Sequence, residues 1–83
     1  MSINSAELVS LSLKNVLGES RGALACQSAD MFADGLLDSF ALLELASRLE
    51  ISFDFAIPTE ELQVENFSNC PSIIALCDRL LEA

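Results

Sequence analysis

No histidine occurs in this sequence, and there is only one lysine, Lys14. A serine nucleophile needs a neighbouring base to take its proton, and with Lys14 on the first helix as the one amine side chain, self-contained serine catalysis is not expected. Hydrophobic residues make up 52% of the chain, yet they come in short periodic groups. None of these approaches the roughly 18 apolar residues of a membrane-spanning helix, so no membrane insertion is expected. The segment Met1-Ser2-Ile3-Asn4-Ser5-Ala6-Glu7 lacks the basic start and apolar stretch of a secretory signal, which predicts a cytoplasmic location. Cysteine is sparse: Cys26, Cys70 and Cys77 are odd in number and lack paired spacing. That pattern indicates neither a disulfide framework nor a zinc site, and the three read as buried or bystander thiols. Basic residues are the last scarcity, four against thirteen acids, for a net charge of −9. Such a charge argues against nucleic acid or an anionic membrane as partner and makes basic protein surfaces the natural complement.

The 83 residues form one small domain, 1–83, with no room for a second active unit. Asn4 can cap a first helix over 5–17 with Glu7 three residues on. Val9, Leu13, Val16 and Leu17 supply its apolar stripe, and Leu8 and Leu11 widen it towards more than one neighbour. Gly18 is a natural stop. No sustained periodicity follows, and 18–38 is predicted to be a long loop with apolar anchors at Leu24, Met31, Phe32 and Leu36. A calcium-loop reading of Asp30 to Asp34-Gly35 fails, because Phe32 and Ala41 would occupy ligand positions.

A second helix is predicted over 39–52, with Leu42, Leu45, Ala46 and Leu49 on its core face and Phe53 continuing that face. At about 100° per residue, Phe40, Leu43, Glu44 and Ser47 point the other way and form a candidate docking face, burial of Phe40 and Leu43 against the first loop or another helix being the alternative. Pro58 disfavours helical geometry at Ile57, and Thr59 can cap a short helix over 59–64. Phe67 is expected to anchor the next loop. Asn69 then caps a last helix over 70–82, with Pro71 tolerated in its first turn and Ile73, Leu76, Cys77 and Leu80 as its stripe. Three longer helices and one short helix, without strand or hairpin signals, make an all-α small helical bundle.

The chain is organised around Asp34-Gly35-Leu36-Leu37-Asp38-Ser39-Phe40. Gly35 permits a tight backbone, Leu36 and Leu37 can plug the loop into the core, and Asp38 can cap the helix. Ser39 then stands in the first helical turn. A phosphodiester there would face unsatisfied backbone N–H groups and the positive end of the helix dipole, although Asp-Ser before an apolar run is also ordinary helix-start chemistry. Between Asp34 and Glu65 lie eight acids (Asp34, Asp38, Glu44, Glu50, Asp54, Glu60, Glu61, Glu65) and one base, Arg48, so the negative field centres on this region. The carboxylates sit on caps and exposed faces where nothing raises a pKa for acid–base work, and no enzyme is expected.

From about Phe32 to the C-terminus, without a gap, the string Asp34-Gly-Leu-Leu-Asp38-Ser39-Phe40, then Phe53, Ile57-Pro58, Glu60-Glu61-Leu62 and Glu65-Asn66-Phe67, resembles the acyl, aminoacyl and peptidyl carrier proteins. The resemblance implies an acyl-carrier-protein-like four-helix bundle and a covalent 4'-phosphopantetheine, drawn from coenzyme A, on Ser39. Asp38 would act as helix cap and as recognition point for the modifying enzyme. Implied partners are a phosphopantetheinyl transferase, an adenylating or acyl-transferring loading enzyme, and downstream synthase, condensing or tailoring enzymes. Phe40, Leu43, Glu44 and Ser47 would meet them. Asn69 stands where the family more often has Thr or Ser, and acids on the helix after Ser39 are sparser than is usual there. The expected role is that of a monomeric, stand-alone carrier holding acyl or aminoacyl thioesters in a polyketide, nonribosomal-peptide or related pathway. Alternatives are a D-alanyl carrier for cell-envelope modification, which the Leu-Leu-Asp-Ser-Phe string also suits, and an unmodified acidic helical adaptor.

Overall fold

The computed structural model describes residues 4–82. All regular structure among them is helical: α1 (Ser5–Leu17), α2 (Glu19–Gln27), α3 (Ser39–Phe53), a 3-10 turn (Thr59–Glu61), α4 (Val64–Phe67) and α5 (Cys70–Glu82). The small helical bundle is therefore present, but it is built on four helices of nine residues or more and not on three.

The addition is α2, which occupies nine residues of the stretch expected to be loop. Its buried residues are Gly22 and Ala25, so its inward face carries almost no hydropathy, while Leu24 is 58% exposed. Gly22 is required by a close approach. A Cβ there would lie 2.6 Å from Lys14 Cα, so α2 crosses the backbone of α1 at van der Waals distance. Gly18, at φ 93°, joins the two helices alone and gives its N–H to the Lys14 carbonyl at 2.9 Å.

The α1 helix is the hub of the fold, packing on α2, α3 and α5. Its Asn4 cap accepts the Glu7 N–H at 2.9 Å, and Val9 and Leu13 are fully buried. The helix meets more than one neighbour as expected and Leu8 is half-buried, but Leu11 is half exposed and Ser12 takes a buried position on the widened face. The core faces of the other long helices are as the spacing requires: Leu42, Leu45, Ala46 and Leu49 from α3, and Ile73, Leu76 and Cys77 from α5, with Leu80 half-buried. Phe67 is fully buried and contributes about 1.5–3 kcal/mol by leaving water.

Between Phe53 and Cys70 the chain departs from the expected helix over 59–64. A 3-10 turn over Thr59–Glu61 ends at Leu62, and the extended backbone of Gln63 separates it from α4. Pro58 takes the cap position without a side-chain hydrogen bond, so Thr59 does not cap this turn. Phe67, expected in a loop, closes α4. Arg79 of α5 pairs with Glu61 at 3.4 Å, and Asn66 donates to the Glu61 carbonyl at 2.8 Å, which fastens the segment to the bundle.

Candidate functional site at the start of α3

The connector after α2 is a built structure. Asp30 accepts the N–H groups of Phe32 and Ala33 at 3.1 and 3.2 Å, and the Ser28 hydroxyl donates to Asp34 at 2.5 Å. Leu36 and Leu37 both give their N–H to the Met31 carbonyl, which folds the chain back around Gly35 at φ 75°. Met31 and Leu37 are buried, Leu36 is half-buried, and Arg21 of α2 donates to the Gly35 carbonyl at 3.0 Å. Two further links tie the connector to the corner between α4 and α5. Met31 gives its N–H to the Ser68 carbonyl at 2.6 Å, and the Asn69 side chain donates to the Ala29 carbonyl at 3.3 Å.

This connector delivers Asp38 and Ser39 to a fixed place. Asp38 has extended backbone at φ −126° and accepts the Ala41 N–H at 2.8 Å, the cap its position predicts. Its carbonyl takes the Leu42 N–H, also at 2.8 Å. Ser39 is the first residue of α3 and is exposed. The amides of Ser39 and Phe40 belong to the first turn, where no intrahelical acceptor exists, and they carry the positive end of a helix of 15 residues.

Beside Ser39 lies an open groove of about 240 Å³, lined by Phe32, Ser39, Leu42, Leu43, Leu62 and Val64. Five of these are apolar. Phe32, Leu62 and Val64 come from segments whose relation to Ser39 depends on tertiary packing, and no periodicity in the sequence brings them together.

The outward face of α3 is arranged as the spacing predicts, and the burial alternative for Phe40 does not hold. Phe40 is 72% and Leu43 54% exposed, and Glu44 and Ser47 are exposed. Ile51 extends the same face and is the most exposed large hydrophobic residue described, at 78%. The sequence reading missed it, although it stands four residues after Ser47 on the 3.6-residue period. The acids divide into two groups. Asp34, Asp38, Glu50 and Glu61 are engaged, Glu50 by accepting the Ile57 N–H at 2.8 Å. The side-chain carboxylates of Glu44, Asp54, Glu60 and Glu65 have no hydrogen-bond or ion-pair partner among the described residues, and Glu44 alone of these four lies on α3.

Comparison with family models, with curated proteins and with solved structures returned no match for this chain. No helix among the described residues is long and apolar enough to cross a membrane.

Proposed function

We propose that the protein is a carrier whose Ser39 hydroxyl takes a 4'-phosphopantetheine arm from coenzyme A and whose cargo rides on the arm's thiol as a thioester. The observation that carries this reading is the placement of Ser39: exposed, first in α3, beside the Asp38 cap and at the lip of an apolar groove. These residues fit the group. A phosphodiester on Ser39 Oγ would neighbour the unpaired first-turn amides, and Phe32, Leu42, Leu43, Leu62 and Val64 offer apolar surface along which the arm could rest.

In the modification, Ser39 Oγ forms a bond to the phosphorus nearest the pantetheine as the pyrophosphate bond of coenzyme A breaks, and adenosine 3',5'-bisphosphate leaves. The hydroxyl proton passes to a base of the transferase, since this chain has no histidine to accept it. Once bound, the arm supplies the reactive sulfur. What the protein supplies is a rigid attachment point and a surface for partners. Phe40, Leu43 and Ile51 present apolar area, with Glu44 and Ser47 among them, to basic surfaces of the transferase, a loading enzyme and downstream enzymes. Weak docking lets partners exchange while the tether keeps the cargo at high local concentration. Polyketide, nonribosomal-peptide and D-alanyl pathways all use this arrangement, and a cytoplasmic, monomeric carrier is part of the proposal.

The exposure of Phe40 and Ile51 also favours a second reading, an unmodified acidic adaptor that binds partners through α3 alone. Intact mass separates the two. After incubation with coenzyme A and a broad-specificity phosphopantetheinyl transferase, the carrier gains one phosphopantetheine increment and Ser39→Ala gains none. A folded wild-type protein that gains no increment overturns the carrier reading and leaves the adaptor.

A further inference from the structure

The outward face of α3 reads alike from either end. Phe40 and Ile51, the two most exposed large hydrophobic residues described, stand at its extremes, about 16 Å apart along the helix. Glu44 lies four residues in from one end and Ser47 four residues in from the other. At about 100° per residue these four fall on a stripe about 60° wide, with Leu43 on one edge and Arg48 on the other. Arg48 is exposed, and its guanidinium has no hydrogen-bond or ion-pair partner among the described residues, although Glu44 stands one turn before it.

The geometry points to α3 as an interface for a second copy of this chain, the two helices lying antiparallel across a two-fold axis near position 46. Phe40 then meets the other copy's Ile51 and Ile51 its Phe40, so both apolar ends are covered at once. A two-fold axis perpendicular to the helices keeps each lateral edge on its own side. The Glu44 carboxylate therefore comes opposite the other copy's Arg48, and Arg48 opposite its Glu44, which makes two ion pairs from groups that are unpaired within one chain. On the other edge Leu43 meets the other copy's Ser47. A parallel pair lacks this match, because it sets the Glu44 edge of one helix against the Leu43 edge of the other.

Charge complementarity is what selects a second copy. The free charges of the stripe are one acid and one base, so the contact itself carries no net repulsion. The rest of the −9 on each chain acts through solvent, where 0.15 M salt screens it beyond about 8 Å. One helix face belongs to the small, transient class of interface, below about 1,200 Å² in total, so the pair is weak and exchanges. It covers the face assigned above to partner enzymes: the monomer engages them, and the pair is a resting form that they displace. The pairing rests on the stripe alone and not on the carrier reading.

Sedimentation equilibrium of the full chain at about 0.15 M salt tests it. The weight-average mass should rise from 8.9 kDa towards twice that as the protein goes from about 10 µM to about 1 mM. Ile51→Asp should hold the monomer mass throughout. Arg48→Glu and Glu44→Arg should each weaken association roughly tenfold, the second although it brings the net charge closer to zero. The two together restore both pairs with the charges exchanged and should return the dimer. These positions are exposed, and far-UV circular dichroism checks the fold; if Ile51→Asp loses helicity, Phe40→Ala takes its place. A wild-type chain that stays monomeric at about 1 mM overturns the proposal, and so does a dimer that Ile51→Asp leaves intact or that the double exchange fails to restore.

Discussion

Replacing Gly22 with alanine sets two effects of opposite sign against each other. A methyl group on α2 would sit 2.6 Å from Lys14 Cα, 2.7 Å from Lys14 Cγ and 2.8 Å from Lys14 N. Carbon atoms normally rest about 3.5–4.0 Å apart, so the two helices must separate by close to 1 Å. The Cγ could swing away, but the Cα and the amide move only if α1 moves, and α1 also packs on α3 and α5. Overpacking of this kind costs about 1–3 kcal/mol, and a backbone contact belongs at the upper end. Alanine in a helix interior returns about 0.5–1 kcal/mol through propensity. The net expectation is a loss of about 2 kcal/mol, a fall in Tm of roughly 8–16 °C for a domain of this size. Urea unfolding followed by far-UV circular dichroism measures it. Ala23→Gly, at an exposed position of the same helix, isolates the propensity component and should cost about 0.5–1 kcal/mol. If Gly22→Ala proves as stable as the parent chain or more so, the close crossing of α1 and α2 is refuted.

Asp38→Ala should lose about 1 kcal/mol of stability with the bond to Ala41, whereas Asp38→Asn caps equally well and should unfold like the parent. Modification at Ser39 by the transferase should then fall in Asp38→Asn if the carboxylate itself is recognised, and an unchanged rate would remove that role. Burial, with Asp78 alongside, raises the Cys77 thiol to about 11, and Cys70 stands at about 12, against 9.0 for an ordinary cysteine. The unfolded chain loses these protons first as pH rises, so the stability involved is full below about pH 9 and is lost through pH 11 and 12. Denaturant midpoints across that range should fall, and Cys77→Ala should make the fall shallower; a flat profile would contradict the burial of both thiols.

Local chemistry made much of this fold legible. Asn4, Asp38 and Asn69 each cap the helix they precede, because a short polar side chain reaching back to a first-turn amide is a property of a few consecutive residues. The division of α3 into a core face and an outward face likewise follows from its period alone. The sequence reading failed where packing used small or single residues. The α2 helix hides behind Gly22 and Ala25, whose burial leaves no hydrophobic stripe and so no periodicity to read, and only the crossing with Lys14 accounts for a glycine in mid-helix. The helix expected over 59–64 breaks at Leu62 and Gln63, although neither is a breaking residue; ties from Asn66 and Arg79 to Glu61 come from farther along the chain. At the candidate site, Asp38, Ser39 and the outward face were readable, whereas the groove was not, since Leu62 and Val64 reach it only through tertiary packing.

The bond from the Met31 amide to the Ser68 carbonyl, which anchors the connector leading to Ser39, is made by main-chain atoms at both ends. A scan that swaps side chains one at a time would pass over it. Replacing Ser68 leaves its carbonyl in place, and any effect at Met31 would be credited to the buried thioether. Only proline at position 31 deletes the donor by ordinary mutation, and exchanging that amide for an ester deletes it while sparing the side chain. A tolerance map of this chain would thus under-report what positions the serine, because part of the positioning is made by main-chain atoms that nearly every side-chain substitution leaves in place.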